Sequence, residues 1–328
     1  MKWEFGVRSA ELLRSEGSDE WLNAEGRGGN GAGRAKIRNV RVGGTSAVFI
    51  TACMIAATPA RADDVREVLA RVREYVSWYD RELVTLIADE RYVQTSGVQA
   101  GEGSAGRQAT TSGGSRLLES EFGWVTVPAL QDTIGVREVR RVDGQLVGGA
   151  LRLRALLARP PADATSEVRD ILAESATHNI GSVRRNINFP TFALAYLRDP
   201  RQQDTRWHAV RSGEHVRLEF EERDRSTLVR TPHGIRTPAR GRFTIDPGSG
   251  RILASELRVR IRERHGSFPM VYWMLVDFAP DPRLGLWVPV RMLERQYREG
   301  TKVPAGEDTG EATYLNYRRF ETGGRIVR

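Results

Sequence analysis

Five histidines, His178, His208, His215, His233 and His265, are the side chains best suited to metal ligation or proton transfer, and they stand singly. A zinc site is usually announced by close ligand pairs such as His-Glu-x-x-His, which put two imidazoles on one helical face. No such pair occurs, so each histidine reads as a surface or hydrogen-bonded group, and no metal or cofactor is expected. A Gly-x-Ser-x-Gly elbow and a Walker Gly-x-x-x-x-Gly-Lys loop are also missing. Acidic residues gather as Asp89-Glu90 beside Arg91 and as Glu219, Glu221 and Glu222 beside Arg223. Either group could supply catalytic carboxylates, but alternation along a strand turns many of them outward, which predicts solvated ion pairs. Arg258, Arg260 and Arg262 form a stripe that could meet the phosphates of nucleic acid or of anionic lipid headgroups; the plainer reading is a soluble face that blunts a sheet.

One strand stands apart, running from Phe268 to Phe278. Its even positions (Phe268, Met270, Tyr272, Met274, Val276, Phe278) and its odd ones (Val271, Trp273, Leu275) are both apolar, so each face must be covered. The even set is the candidate ligand-binding surface, because flexible thioether side chains suit irregular apolar guests. The competing reading is a central strand packed by helices on one side and loops on the other.

The elements that would position these residues follow from periodicity. Val65, Val68, Leu69, Val72, Tyr75, Val76 and Tyr79 recur at the spacing of one helical face. A strand is expected near 83–94, then a Gly/Ser/Thr-rich loop over 96–115. Strands follow at 117–127 and 134–142, the second turning through Asp143-Gly144 into 145–147. A helical insertion over about 149–198 contains segments at 151–158, 165–177 and 190–197. Beyond Arg206 the pattern is a meander of alternating strands, with Val216, Leu218 and Phe220 interleaved by Arg217, Glu219 and Glu221. The expected fold class is α+β, a large curved antiparallel sheet forming an incomplete barrel with helices on its concave face.

This order, together with Phe243-x-Ile245-Asp246-Pro247-x-x-Gly250-x-Ile252, Leu286-Trp287-Val288-Pro289-Val290 and the closing run from Gly310 to Phe320, resembles the periplasmic outer-membrane lipoprotein-carrier-like superfamily over roughly residues 206–322. The resemblance implies an unclosed barrel whose hollow holds acyl chains. The helical insertion and the 96–115 loop depart from the compact carrier pattern, and no functional residue is carried over by motif.

Ahead of the expected domain, Arg34, Lys36, Arg38 and Arg41 precede an uncharged run over about 42–60, followed by Ala60-Arg61-Ala62 and Asp63. A basic flank, a short apolar core and a small-x-small site make up a secretory signal. Residues 1–62 are therefore expected to be a leader, with a translation start downstream of Met1 and cleavage before Asp63. A single domain then spans 63–328. Ile50-Thr51-Ala52-Cys53 allows a second reading, a lipobox in which Cys53 is lipidated and anchors the chain to a membrane. Cleavage after Ala62 would leave no cysteine for disulfides.

Composition excludes a disordered or collagen-like chain: 328 residues are 40% hydrophobic and 28% charged, with a net charge of +8. Lysine occurs only at Lys2, Lys36 and Lys302, so 47 of the 50 basic residues are arginine, a codon-level skew that weakens any inference from charge. Export argues against nucleic acid as a partner. The expectation is a periplasmic or secreted non-enzymatic protein that binds a lipid or a lipidated protein in a concave hollow, with peripheral membrane contact. Two alternatives are an envelope interaction or sensor module with a filled core and a hydrolase with a dispersed site.

Overall fold

The computed structural model describes residues 3–4, 62–97, 114–127, 132–148, 151–158, 165–180, 183–184, 188–199, 201–223, 227–231, 234–261, 269–300, 307–321 and 325–327. Helix α1 spans Ala62–Leu83. The strands of the main sheet are β1 (Leu86–Thr95), β2 (Ser115–Val127), β3 (Asp132–Val142), β4 (Gln145–Leu146), β5 (Thr205–Ser212), β6 (His215–Glu222), β7 (Ala239–Ile245), β8 (Ile252–Ile261), β9 (Met270–Asp281), β10 (Leu286–Arg298), β11 (Asp308–Glu321) and β12 (Arg325–Val327). Two helices, α2 (Arg152–Ala158) and α3 (Thr165–Thr177), and a 3-10 segment, Phe192–Leu197, lie between β4 and β5.

These twelve strands pair antiparallel in one sheet ordered β4-β3-β2-β1-β11-β10-β9-β8-β7-β6-β5, with β12 on β11, while Trp3–Glu4 and Val183–Arg184 form a separate parallel pair. Each strand therefore sits beside its neighbour in sequence, except where β1 meets β11 and joins an N-terminal meander to a C-terminal one. The end strands β4 and β5 do not pair with each other, so the sheet is not closed. The β3–β4 hairpin turns where expected: Asp143 and Gly144 have φ of 50° and 81°, the left-handed pair a type I′ turn needs.

Strand alternation gives each side of this sheet its own core. Leu86 and Ala88 of β1, Phe122 and Trp124 of β2, Tyr314 and Tyr317 of β11, Met292 of β10, Leu257 of β8 and Phe243 of β7 join one large apolar cluster. Val72, Val76 and Tyr79 of α1 and Phe192–Leu197 pack into it. Ile87, Val125, Val127, Ile134, Val136 and Phe320 point the other way, where Leu153 and Leu156 of α2 and Val168 and Ile171 of α3 cover them. The helices are thus shared between the two faces rather than gathered on one. The physical reason is that the strands of the N-terminal meander are apolar on both sides, and each side must be shielded from water.

The hairpin singled out by sequence, residues 246–250, is the clip that holds α1. Asp246 accepts bonds from the Gly248 amide (3.0 Å) and the Ser249 hydroxyl (2.8 Å), and the Ser249 bond is the chief reason its carboxyl titrates below the usual range. Arg71 of α1 donates to the Pro247 carbonyl at 2.8 Å. Gly250 has φ of +72°, and a Cβ there would stand 2.6 Å from the Arg71 carbonyl oxygen. Arg198 grips Asp80 through two bonds of 2.7 and 2.8 Å, and Arg319 reaches Glu82 at 2.7 Å.

Gly241 on β7 has the least room of the described glycines. A Cβ there would lie 1.9 Å from the backbone oxygen of Glu256 and 2.7 Å from the Phe220 ring, which itself stacks on Tyr196 at 4.7 Å and Phe243 at 5.4 Å. Because a backbone atom cannot swing aside as a side chain can, Gly241→Ala is expected to cost at least the ~1–3 kcal/mol of an overpacked core. Urea denaturation would register this as a lower midpoint with unchanged slope.

Candidate functional site

The even set of β9 does come together on one face, but as packed core. Tyr272 and Met274 are each 1% exposed, Val276 is fully buried and Phe278 is 6% exposed; Met270 is partly buried at the strand end. Phe268 lies outside the described residues. The structure thus places Tyr272, Met274 and Val276 in a packed face rather than around an open hollow. These side chains belong to the same apolar cluster as the buried stripe of α1, the 3-10 segment and the neighbouring strands.

The odd set is covered differently. Trp273 donates its indole N–H to Glu256 at 2.9 Å and lies under the Arg295 guanidinium, 5.9 Å from the ring centroid. Glu256 also pairs with Arg242 at 2.6 Å. Of the arginine stripe, Arg258 and Arg260 both bond Glu299, the first at 3.1 Å, while Arg262 lies outside the described residues. The stripe on this face is thus part of a lattice of ion pairs.

What the even face holds besides apolar groups is a seam of buried polar ones. Glu90 on β1 faces inward with its side chain fully buried and is gripped by Arg137 of β3, through Nη2 at 2.6 Å and through Nε. The Arg137 guanidinium lies 4.6 Å above the Tyr92 ring and bonds the Asn188 carbonyl at 3.2 Å. Burial alone would loosen the arginine's proton, yet the charge and hydrogen bonds of Glu90 outweigh it and hold that proton more tightly than usual. Burial drives the Tyr314 phenol well above its ordinary value, and Glu90 beside it adds to the shift. Further along, the carboxylate of Glu294 on β10 is held by the hydroxyls of Tyr92 and of Tyr272, the latter at 2.9 Å. Asn188 donates to the Tyr92 hydroxyl at 3.3 Å, linking the two halves.

Past this linked network stands Gln296, two residues beyond Glu294 on the same strand face and 4% exposed. Among the described residues neither atom of its carboxamide has a hydrogen-bond partner, and neither does the hydroxyl of Ser255 on β8. Gln94 on β1, with the same side chain on the same face, differs: it donates to Asn179 at 2.6 Å and accepts from the Ile180 amide at 2.7 Å.

Two acidic positions read as solvated are thus buried. Glu90 is 2% and Glu222 4% exposed, whereas Asp89, Glu219 and Glu221 do point outward, toward Arg318, His208 and Arg206. Parity was the available signal. Glu90 shares its side with Ala88 and Tyr92, and Glu222 with Leu218 and Phe220, so an inward charge was legible once the apolar face was known.

The remaining predicted positions fall as follows. Cys53 and Ala60 lie outside the described residues, and Ala62 and Asp63 open α1. His233 and His265 also lie outside them. Among the described residues no three His, Cys, Asp or Glu side chains gather as a metal site, and no helix is long and apolar enough to cross a membrane. A depression of about 260 Å³ beside the β3–β4 hairpin is lined by Glu138, Arg152, Glu174 and His178. Its charges serve the fold: Glu138 accepts from the amides of Arg152 and Leu153 at the start of α2, and Arg152 pairs with Glu174. No protein-family model matches the chain, and neither a curated protein nor a solved structure shows significant similarity to it.

Proposed function

We propose that this chain is an exported, non-enzymatic protein that binds an apolar or lipidic ligand, or a lipid-modified partner, between the apolar face of its unclosed sheet and the helix laid across it. The observation that carries this reading is the make-up of that face. It is built of large apolar side chains around a few convergent polar ones, Tyr92, Tyr272, Glu294 and Gln296, which is the composition of a small-molecule site.

The face is packed shut, so binding requires its cover to lift. α1 is fastened at its rim by part-exposed pairs such as Arg198–Asp80, Arg73–Asp199 and Arg319–Glu82. The exposed pair Arg73–Asp199 contributes only ~0–1 kcal/mol, so apart from the two-bond Arg198–Asp80 contact the apolar stripe of α1 is the main restraint, and an apolar guest can replace it in kind.

Mass spectrometry of protein purified from a cell envelope, under native conditions and after organic extraction, tests this directly. The expected result is a co-extracted lipid together with saturable, competable uptake of a fluorescent fatty acid. Absence of both would reject the reading. It would support instead an interaction or sensor module with a filled core, the reading favoured by the complete burial of Met274 and Val276.

A further inference from the structure

We infer that Gln296 is the head-group recognition residue of the buried face, and that the ligand presents a hydrogen-bond donor and acceptor side by side, as an un-ionised long-chain carboxylic acid or its primary amide does. This deepens the ligand-binding reading above and rests on it.

Natural cores rarely leave a buried amide empty, because it has given up its bonds to water for nothing. Gln94 shows what this fold does when a glutamine on this face is structural: both its atoms are matched by the 179–180 segment. At Gln296 both atoms are unmatched among the described residues. Its surroundings also resemble the end of an acyl site. On β9 it stands opposite Tyr272, which in turn stands opposite Val259 on β8. Met274 and Leu257 lie one pair further along the same face. The polar group is therefore two residues from the end of β10, with Met274 and Leu257 leading away across β9 and β8 and Glu294 beside it on β10.

The chemistry of the head group follows from the carboxamide. Its N–H needs an acceptor and its oxygen needs a donor, and a carboxylic acid or primary amide offers both in one plane. An ester or a carboxylate offers no donor, and a carboxylate would also stand beside Glu294.

Displacement of cis-parinaric acid from the full chain by oleamide, oleic acid and methyl oleate tests the assignment. In the wild-type protein, oleamide or protonated oleic acid is expected to bind about tenfold more tightly than methyl oleate, the factor that 1.4 kcal/mol of hydrogen bonding confers. Which of the two binds tighter identifies the natural head group. In Gln296→Leu and Gln296→Met that ratio should fall to about one, with methyl oleate affinity kept within about twofold. Both variants should melt at least as high as wild type, since they remove an unmet polar group. A ratio that survives in either variant overturns the inference and leaves the ligand-binding reading standing. A wild-type ratio near one, with Gln296→Leu melting lower, would show that a buried water serves the amide and would also overturn it. If none of the three displaces the probe and the probe itself does not bind, the broader reading falls as well.

Discussion

Replacing Arg137 with methionine is expected to cost about 3–5 kcal/mol of folding stability, a large share of what a domain of this size possesses. The reason lies in what is left behind. Glu90 is fully buried and accepts two bonds from the guanidinium, so without Arg137 a carboxylate remains in an apolar interior with its counter-charge gone. The variant also loses the contacts of the guanidinium with the Tyr92 ring at 4.6 Å and the Asn188 carbonyl at 3.2 Å. The double variant Glu90→Met/Arg137→Met separates the two contributions. Removing both charges avoids the uncompensated carboxylate, and buried pairs exchanged for apolar residues are often neutral or stabilising. Urea titrations of the wild type, both single variants and the double variant form a complete cycle. Single-variant losses under about 1 kcal/mol would show that water reaches the pair.

Stability should also fall as pH rises from about 4.5 to 7, with Glu222 as the source. Burial pushes its carboxyl up to about 7, against the opposing effect of bonds from the Leu228 amide (2.5 Å) and the Ala239 amide (3.1 Å) and of Arg201 at 3.8 Å. The folded chain then holds a proton that the unfolded chain, with an ordinary glutamate value near 4.5, has released. Between those two values the native state binds more protons, so its stability is greatest below about 4.5 and declines until about 7, where it levels off. At 1.36 kcal/mol per unit of pKa the whole decline is at most about 3 kcal/mol. The bonds place the effect at Leu228 and Ala239, which belong to the same apolar cluster as the buried face. Glu222→Gln should flatten this part of the melting-temperature profile. A profile unchanged by the substitution would move the effect to other groups.

Much of the architecture was readable without coordinates. The α3 helix occupies 165–177 as its capping residues and spacing indicated, and the Asp143-Gly144 hairpin turns where two residues of positive φ were needed. Alternation from Val216 to Phe220 and from Leu257 to Ile261 predicted which side of those strands is buried. Less legible was β11, where Tyr314 and Tyr317 both face inward although they stand three positions apart. Asn316, at a φ of 52°, sits in a register shift that reverses the alternation, and a period of two cannot foresee this. The 190–197 segment was placed correctly but forms a 3-10 turn, Phe192–Leu197, with all six side chains buried.

By itself the sequence determined the sheet's meander, its turns and the apolar character of β9, because these depend on the period of neighbouring residues and on turn chemistry, both local. Only the tertiary structure decided that Met274 and Val276 are core, that α2 and α3 cover the opposite side from α1, and that Glu90, Glu222, Glu294 and Gln296 are sealed inside. Those outcomes depend on which distant strand or helix lies across a given face. A buried charge such as Glu90 becomes tolerable only when Arg137, forty-seven residues away, arrives beside it.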